Sequence, residues 1–304
     1  MSILLLGRNG QVGWELQRSL STLDNVIALA SDAHHNPDGL CGDLSDLEGL
    51  AQTVRRVAPK VIVNAAAYTA VDKAQTQSQL AHTINAEAPA VLAQEAKQLG
   101  SWLVHYSTDY VFNGSGSKPW LEEDATGPLN TYGLTKLAGE KAVAAWPKHL
   151  IFRTSWVYSA RGANFAKTML RLAREREQLQ VIDDQWGAPT SAALLADVTA
   201  TALRACMAQP KLAGLYHCAA SGETTWNAYA RFVIAHAASL GAALKASPKN
   251  IDAISSAHYP TAAVRPLNSR LNCDRLQSTF SLHLPPWQQG VSRMLQEILG
   301  ESQQ

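Results

Sequence analysis

The stretch that most constrains this chain is its first thirteen residues. Ile3-Leu4-Leu5-Leu6 is a continuous apolar run that stops at Gly7. A short run of that kind suits a strand buried on both faces, as in a parallel sheet. Gly7-Arg8-Asn9-Gly10-Gln11-Val12-Gly13 follows, with glycines three apart, and Val12, Leu16 and Leu20 then recur at helical period. Strand, glycine turn and helix in this order make the arrangement that seats a dinucleotide pyrophosphate. The glycines let the backbone approach the ligand, and the helix N-terminus offers N–H groups and partial positive charge. The competing reading is a tight strand-to-helix turn with no ligand.

The alternation continues. Val26-Ile27-Ala28-Leu29 reads as a second strand, followed by Ala30-Ser31-Asp32. Asp32 stands where an acid would meet ribose hydroxyls, or it is an ordinary loop acid. Arg8 could meet a 2′-phosphate and favours NADPH, but both NADH and NADPH stay open. Ser45 is expected to cap a helix carrying Leu47, Leu50 and Val54. Val61-Ile62-Val63 is a buried strand running into Asn64-Ala65-Ala66-Ala67, a small-residue turn with room for something flat. A single helix is expected over 77–97, with Leu80, Ile84, Ala88 and Leu92 on one face. Trp102 to Ser107 is the fourth strand and ends at Thr108-Asp109-Tyr110-Val111-Phe112. Strands alternating with helices predict an α/β doubly wound parallel sheet of Rossmann type.

Tyr132-Gly133-Leu134-Thr135-Lys136 places a phenol and an ammonium four positions apart, hence on one helical face. A free Tyr titrates near pH ~10, and an adjacent cation favours the phenolate. Asn130 or Thr131 can cap this helix after Pro128. In isolation the pair is as well explained by a solvated helix face. The Thr108 hydroxyl could hydrogen-bond a carbonyl oxygen, or simply close a turn at a strand end.

Taken as an ordered set, the glycine turn, Asn64-Ala65-Ala66, Ser107-Thr108-Asp109 and Tyr132-x-x-x-Lys136 resemble the extended short-chain dehydrogenase/reductases. Finer motifs are similar to the dTDP-4-dehydrorhamnose reductase family within them. These are 64–72, 106–112, 152–158, Asn164-Phe165, Asp184-Gln185-Trp186-Gly187-Ala188-Pro189-Thr190 and 265–271. The likeness runs from Ile3 to about Leu295. It implies NAD(P)H-dependent reduction of the 4-keto group of a dTDP-sugar, with Thr108, Tyr132 and Lys136 as the catalytic set and Tyr132 as proton donor. It also implies that Gly7, Gly10, Gln11 and Val12 seat the pyrophosphate, and that Asp43 and Leu44 lie near the adenine. By the same likeness Ala67, Tyr68 and Thr69 flank the cofactor, Tyr106 lies beneath the nicotinamide side, and Asp109 and Trp156 contact the substrate, Trp156 against the sugar. The competing reading of Trp156 is a core aromatic after the Ile151-Phe152 strand. A diphosphate needs cationic or N–H-rich groups, and the candidates are Arg265 and Arg270, with Asn164 as a neutral donor. The family can dimerise around magnesium. Glu15 and Asp197 match two of its ligands, but Ala193 stands where a Glu is carried, so no tight magnesium site is expected and a homodimer stays open. Two alternatives remain. One is another nucleotide-sugar epimerase or dehydratase, although a dehydratase would carry Glu, not Tyr110, after Asp109. The other is a non-catalytic regulatory subunit, which retention of Thr108, Tyr132 and Lys136 disfavours.

Beyond Trp156 the regular alternation loosens. Helices are expected over 164–176, 191–207, 226–240 and 287–299, strands over 179–182 and 215–218, and an irregular loop over 250–266. The expected division is a dinucleotide-binding domain over 1–155, with the strands near 179–183 and 215–218 added to its sheet. The remainder of 156–304 then forms a smaller, interleaved substrate domain. Of 304 residues 46% are hydrophobic and 17% charged, and the net charge is +1. That balance gives no sign of a nucleic-acid surface or a polybasic membrane patch. The N-terminus lacks a basic signal-peptide start, and no run approaches the ~20 apolar residues of a membrane span. Cys41, Cys206, Cys218 and Cys273 have neither C-x-x-C nor metal-ligand spacing. They read as thiols in a reducing compartment, and the protein as cytoplasmic.

Overall fold

The computed structural model describes residues 2–300. Its centre is a six-stranded parallel sheet. Five strands come from the first half: β1 (Ser2–Leu6), β2 (Asn25–Leu29), β3 (Val61–Asn64), β4 (Trp102–Thr108) and β5 (His149–Thr154). The sixth, Gly214–His217, arrives late in the chain and joins the edge beside β5. The spatial order is Gly214–His217, β5, β4, β3, β1, β2. The chain therefore runs outward from β1 to β2, then returns to place β3 on the other side of β1. That reversal is the switch point where a parallel sheet opens a crevice at its C-terminal edge.

The apolar runs are buried on both faces because both faces are covered. Ile3 and Leu5 point into one core with Leu16 and Leu20 of helix α1 (Gln11–Leu20) and with Leu195 and Leu203 of the helix Ala192–Ala208. Leu4 and Leu6 point into the other core, with Leu50 and Val54 of helix α2 (Leu47–Val57), Leu92 and Val143. A third core lies apart from the sheet. It gathers Met169, Leu170, Leu179, Val181, Tyr229, Val233, Ile251, Val291 and Leu295 beneath the helices Phe165–Glu175, Trp226–Ser239 and Trp287–Gly300.

Four sequence expectations need correction. The strand Leu179–Ile182 does not join the large sheet. It pairs in parallel with Ile251–Ile254, inside the stretch expected to be irregular. Its burial alternates, with Leu179 and Val181 buried and Gln180 exposed, which suits a small sheet with one face on the third core. The cap of α2 is Asp46, whose carboxylate accepts from the Gly49 N–H, while Ser45 is held in a turn by Asp43. The expected helix over 77–97 divides into Ser78–His82, a π-turn Thr83–Glu87, and Ala88–Leu99. Pro89 is the cause: it has no N–H, and its ring would strike the carbonyl four residues back, at Asn85. Leu80, placed on the apolar face by periodicity, is exposed. Among the described residues no helix is long and apolar enough to cross a membrane.

One buried ion pair ties the helix Thr131–Ala144 to the sheet. Arg153 of β5 donates from Nε and Nη2 to Glu140 at 2.9 and 2.8 Å, both side chains being almost wholly buried. Removing one partner of such a pair strands the other charge and costs about 3–5 kcal/mol. Glu140→Ala should lower unfolding free energy by that amount in urea titration, and Glu140→Gln, which keeps the shape and some bonding, by less.

Candidate active site

The crevice begins at the glycine turn. Gly7 has φ +87°, and a Cβ there would stand 2.8 Å from the Ala66 nitrogen, so the turn after β1 touches the turn after β3 through backbone alone. A Cβ on Gly13 would lie 2.0 Å from the Gly7 carbonyl oxygen, which is why α1 can start so close to the strand. Gly10 precedes α1 in an extended conformation and offers no side-chain cap. The first-turn N–H groups of α1 are thus left for a ligand, and the helix dipole favours an anion there. Gln11 receives bonds from Ser159 (3.3 Å) and Asn164 (3.2 Å), joining this turn to the second half of the chain.

The flank at β2 carries Arg8 and Asp32. Arg8 reaches across to the carbonyls of Ala28 (3.3 Å) and His35 (2.6 Å). Asp32 accepts from the His34 N–H at 3.0 Å and contacts His35 Nδ1 at 2.9 Å, and these bonds hold its carboxyl below the usual range. A fixed cation and a carboxylate therefore stand together at the end of the second strand. Leu44 is buried, and Asp43 is occupied with Ser45. At the end of β3, Ala67 and Tyr68 are half-buried and Thr69 exposed. The Tyr68 backbone is clamped by Asn85, which accepts from its N–H (2.8 Å) and donates to its carbonyl (3.1 Å). Asn85 lies in the π-turn that Pro89 forces, so a helix defect positions the crevice wall.

Thr108, Tyr132 and Lys136 converge at the ends of β4 and of the crevice. Asn130 caps the helix Thr131–Ala144 by accepting from the Gly133 N–H at 2.9 Å, and donates to the Val264 carbonyl at 2.7 Å. The approach of that helix to the sheet end depends on Gly133, where a Cβ would meet the Tyr110 carbonyl at 2.2 Å. Thr108 closes the expected turn, accepting from the Tyr110 N–H at 3.2 Å, and donates to Asp109 at 3.0 Å. Its hydroxyl lies near enough to the Tyr132 phenol to act on its titration. The strand-end turn is therefore present at Thr108.

The titration of the site differs from the sequence expectation. Burial drives Tyr132 up to about 12, the Thr108 hydroxyl pulls it back, and the Asp109 carboxylate raises it again. Lys136 does not figure among these influences. Its ammonium donates to the Tyr106 carbonyl at 2.6 Å and contacts His105 Nε2 at 3.4 Å, and burial brings it down to about 8 against the opposing Glu140. Burial sets the phenol, and the strand edge holds the amine. Tyr106 serves through that carbonyl, because its phenol is sunk in the core against the Thr199 hydroxyl.

Asp109 is buried, its Oδ2 makes no bond of normal geometry, and burial raises its carboxyl to about 7 against the pull of Ser269 and Thr108. Trp156 follows β5 with φ +49° and lies half-buried. Asn164 caps the helix Phe165–Glu175, and its amide N–H groups reach Gln11 and the Ser159 carbonyl. The two arginines are already paired. Arg265 forms a double bond-pair with Asp72 (3.2 and 2.6 Å), and Arg270 bonds Asn268 and Glu223 while lying over the Trp186 ring. Far from the crevice, Asp197 is engaged by Arg18 and Ser19, and Glu15 faces Arg18 at 3.9 Å. Among the described residues no group of three or more His, Cys, Asp or Glu could hold a metal ion.

Sequence reasoning missed His105, Asn85, Ser107 and Thr154. His105 is buried between Asn64 and Lys136 and is held well below its usual pKa by burial and the Lys136 charge, so it is neutral. Ser107 and Thr154 leave hydroxyls buried without partners at the ends of β4 and β5, beside the orphaned Asp109 oxygen. Buried polar atoms without partners mark a place shaped for a ligand. With the uncapped α1 turn, they fit a dinucleotide laid along this edge with its reactive ring at β4. Strand position was the available signal: 107 is the next-to-last residue of β4 and 154 the last of the adjacent β5.

The raised Asp109 carboxyl has a consequence for stability. The folded protein keeps this proton after the unfolded chain, at the usual 3.8, has lost it. The stability of the neutral form is therefore whole below about pH 4 and is lost as pH rises through about 7. Asp109→Asn, neutral throughout, should gain on the parent across that window by up to about 4 kcal/mol, read from urea unfolding at pH 4, 5.5 and 7.

Comparison with known proteins agrees with this geometry along the whole chain. The model of the RmlD substrate binding domain matches residues 1–299. The chain is 56% identical to the dTDP-4-dehydrorhamnose reductase of Escherichia coli K12 over 299 residues, covering 98% of each. It is 44% identical to that of Burkholderia thailandensis, covering 99% of this chain and all of the relative. A crystal structure of the Bacillus anthracis dTDP-4-dehydrorhamnose reductase in complex with NADP superposes with a TM-score of 0.85 at 32% identity, over 97% of this chain and 99% of that one. On sequence and fold together, the chain belongs to the RmlD substrate binding domain family.

Proposed function

We propose that this protein is an NAD(P)H-dependent reductase that converts the 4-keto group of dTDP-4-dehydro-L-rhamnose to the alcohol of dTDP-L-rhamnose. The observation that carries the reading is the convergence of Thr108, Tyr132 and Lys136 at the ends of the strands beside an uncapped α1 N-terminus. A dihydronicotinamide held along this edge supplies the hydride. The chain's own part is to hold the ketone and to move a proton. Tyr132 gives its phenolic proton to the ketone oxygen, and Thr108 hydrogen-bonds the same oxygen, a bond that strengthens as negative charge develops. Lys136, fixed by the Tyr106 carbonyl, presents its remaining N–H donors to the ribose. Asp109 and Trp156 form the sugar side, and Arg265 or Arg270 would leave its present carboxylate partner for the diphosphate.

The Tyr110 ring packs edge-on against Tyr132 at 5.6 Å, in the place where a dehydratase would carry its second acid. That contact favours simple reduction over water elimination. The presence of both Arg8 and Asp32 near the β2 end supports use of either cofactor, with Arg8 as the group for a 2′-phosphate. Magnesium has no part in this reading, since Ala193 offers no ligand and Asp197 is taken by Arg18 and Ser19. Four unpaired cysteines support a reducing, cytoplasmic setting, and the dTDP-sugar product supports a role in supplying precursors for cell-surface polysaccharides.

Purified protein should oxidise NADPH, followed by absorbance, on addition of dTDP-4-dehydrorhamnose. No turnover with the cofactor bound would sink the assignment. Tyr132→Phe should keep cofactor affinity and lose about 10²–10⁴ in kcat, the usual contribution of a positioned proton donor. A Phe variant near full rate would remove Tyr132 from that role.

A further inference from the structure

Trp156 is built into a strained position. Its φ of +49° is in the left-handed region, which a bulky side chain enters only where its surroundings force it. The surroundings are specific. The Trp156 carbonyl accepts from the Thr190 N–H at 3.2 Å. Its indole occupies the space that a side chain at Gly187 would fill, since a Cβ there would lie 2.7 Å from the ring. Its face stacks on Trp226, ring centres 3.6 Å apart and planes 13° from parallel.

Trp226 is itself held in place. Its indole N–H donates to the buried Gln185 side chain at 3.1 Å, and Phe165 packs against it at 4.5 Å. It opens the helix Trp226–Ser239, capped by Thr225, whose hydroxyl also bonds Asp183. The two-residue ladder pairs Gly187 with Thr224 and Trp186 with Thr225, and Trp226 follows directly, so this small sheet and the helix that leaves it supply both groups that contact the Trp156 indole.

We propose that Trp226 is a positioning residue for the sugar: it fixes the plane of the Trp156 indole, and Gln185 fixes Trp226. The inference rests on the reading that Trp156 faces the sugar ring. The strained backbone and the stacked pair then have one purpose, to present a rigid aromatic face without ordering it anew at each binding event.

The test uses the full chain. Trp226→Ala should raise KM for dTDP-4-dehydrorhamnose about tenfold, the size of an aromatic pair's coupling, with a smaller change in kcat and none in NADPH affinity. Trp226→Phe, which keeps a stacking face, should recover most of that loss. Two indoles stacked this closely should give an exciton couplet in the far-ultraviolet circular dichroism, and both variants should abolish it. Trp156→Ala is the control. If it raises KM while Trp226→Ala leaves KM and kcat within twofold, the positioning role is overturned and the sugar reading stands. If Trp156→Ala leaves KM unchanged, the sugar reading of Trp156 fails and the inference with it. Loss of NADPH binding in Trp226→Ala without recovery in Trp226→Phe would show a merely structural residue and overturn the proposal.

Discussion

Two backbones touch at the centre of this molecule, and much of the rest follows from that contact. The turn after β1 passes the turn after β3 so closely that Gly7 has no room for a side chain against Ala66. A parallel sheet that reverses direction opens its crevice at that place. Gly13 brings α1 down onto the same turn, so helix N–H groups point into the crevice with no cap to use them. The next strand ends then deliver Thr108, Ser107 and Thr154 to the edge of an opening that already exists.

Burial accounts for most of the electrostatic character of the site. Lys136, Asp109, Tyr132 and His105 are all displaced toward their neutral forms, each chiefly by loss of water. Asp109 at about 7 and Lys136 at about 8 are thereby brought near neutral pH, while Tyr132 and His105 are held neutral. The same region leaves three buried polar atoms without partners, a cost that a ligand can repay by bonding to them. Behind the strand ends, Arg153 and Glu140 join β5 to the helix that carries Tyr132 and Lys136.

The second half of the chain acts on this edge through three attachments. Asn164 and Ser159 bond Gln11 in the glycine turn. Arg265 bonds Asp72, and the Val264 carbonyl bonds the cap of the catalytic helix. Trp156, leaving β5, is gripped by the small ladder around Gly187 and Trp226. The wall around Trp156 is therefore assembled from segments distant in sequence.

What the sequence determined by itself was what local physics controls. Apolar runs ending at small residues gave the strands of the sheet, the glycine spacing gave the turn, and a four-residue interval gave the shared face of Tyr132 and Lys136. The Asn130 cap and the fit of Thr108 to a strand-end turn were legible for the same reason: each partner lies within a few residues. The tertiary structure decided the pairings that span long intervals. It sent Leu179–Ile182 to Ile251–Ile254 instead of the main sheet, because a strand needs only a free edge and a face to bury, and periodicity names neither. It turned the Lys136 amine onto the Tyr106 carbonyl, gave both arginines carboxylate partners, and set the Asn85 side chain against the Tyr68 backbone. These outcomes depend on which groups meet in a dry interior, where an unpaired charge or carbonyl is costly, and that is settled only when the whole chain has packed.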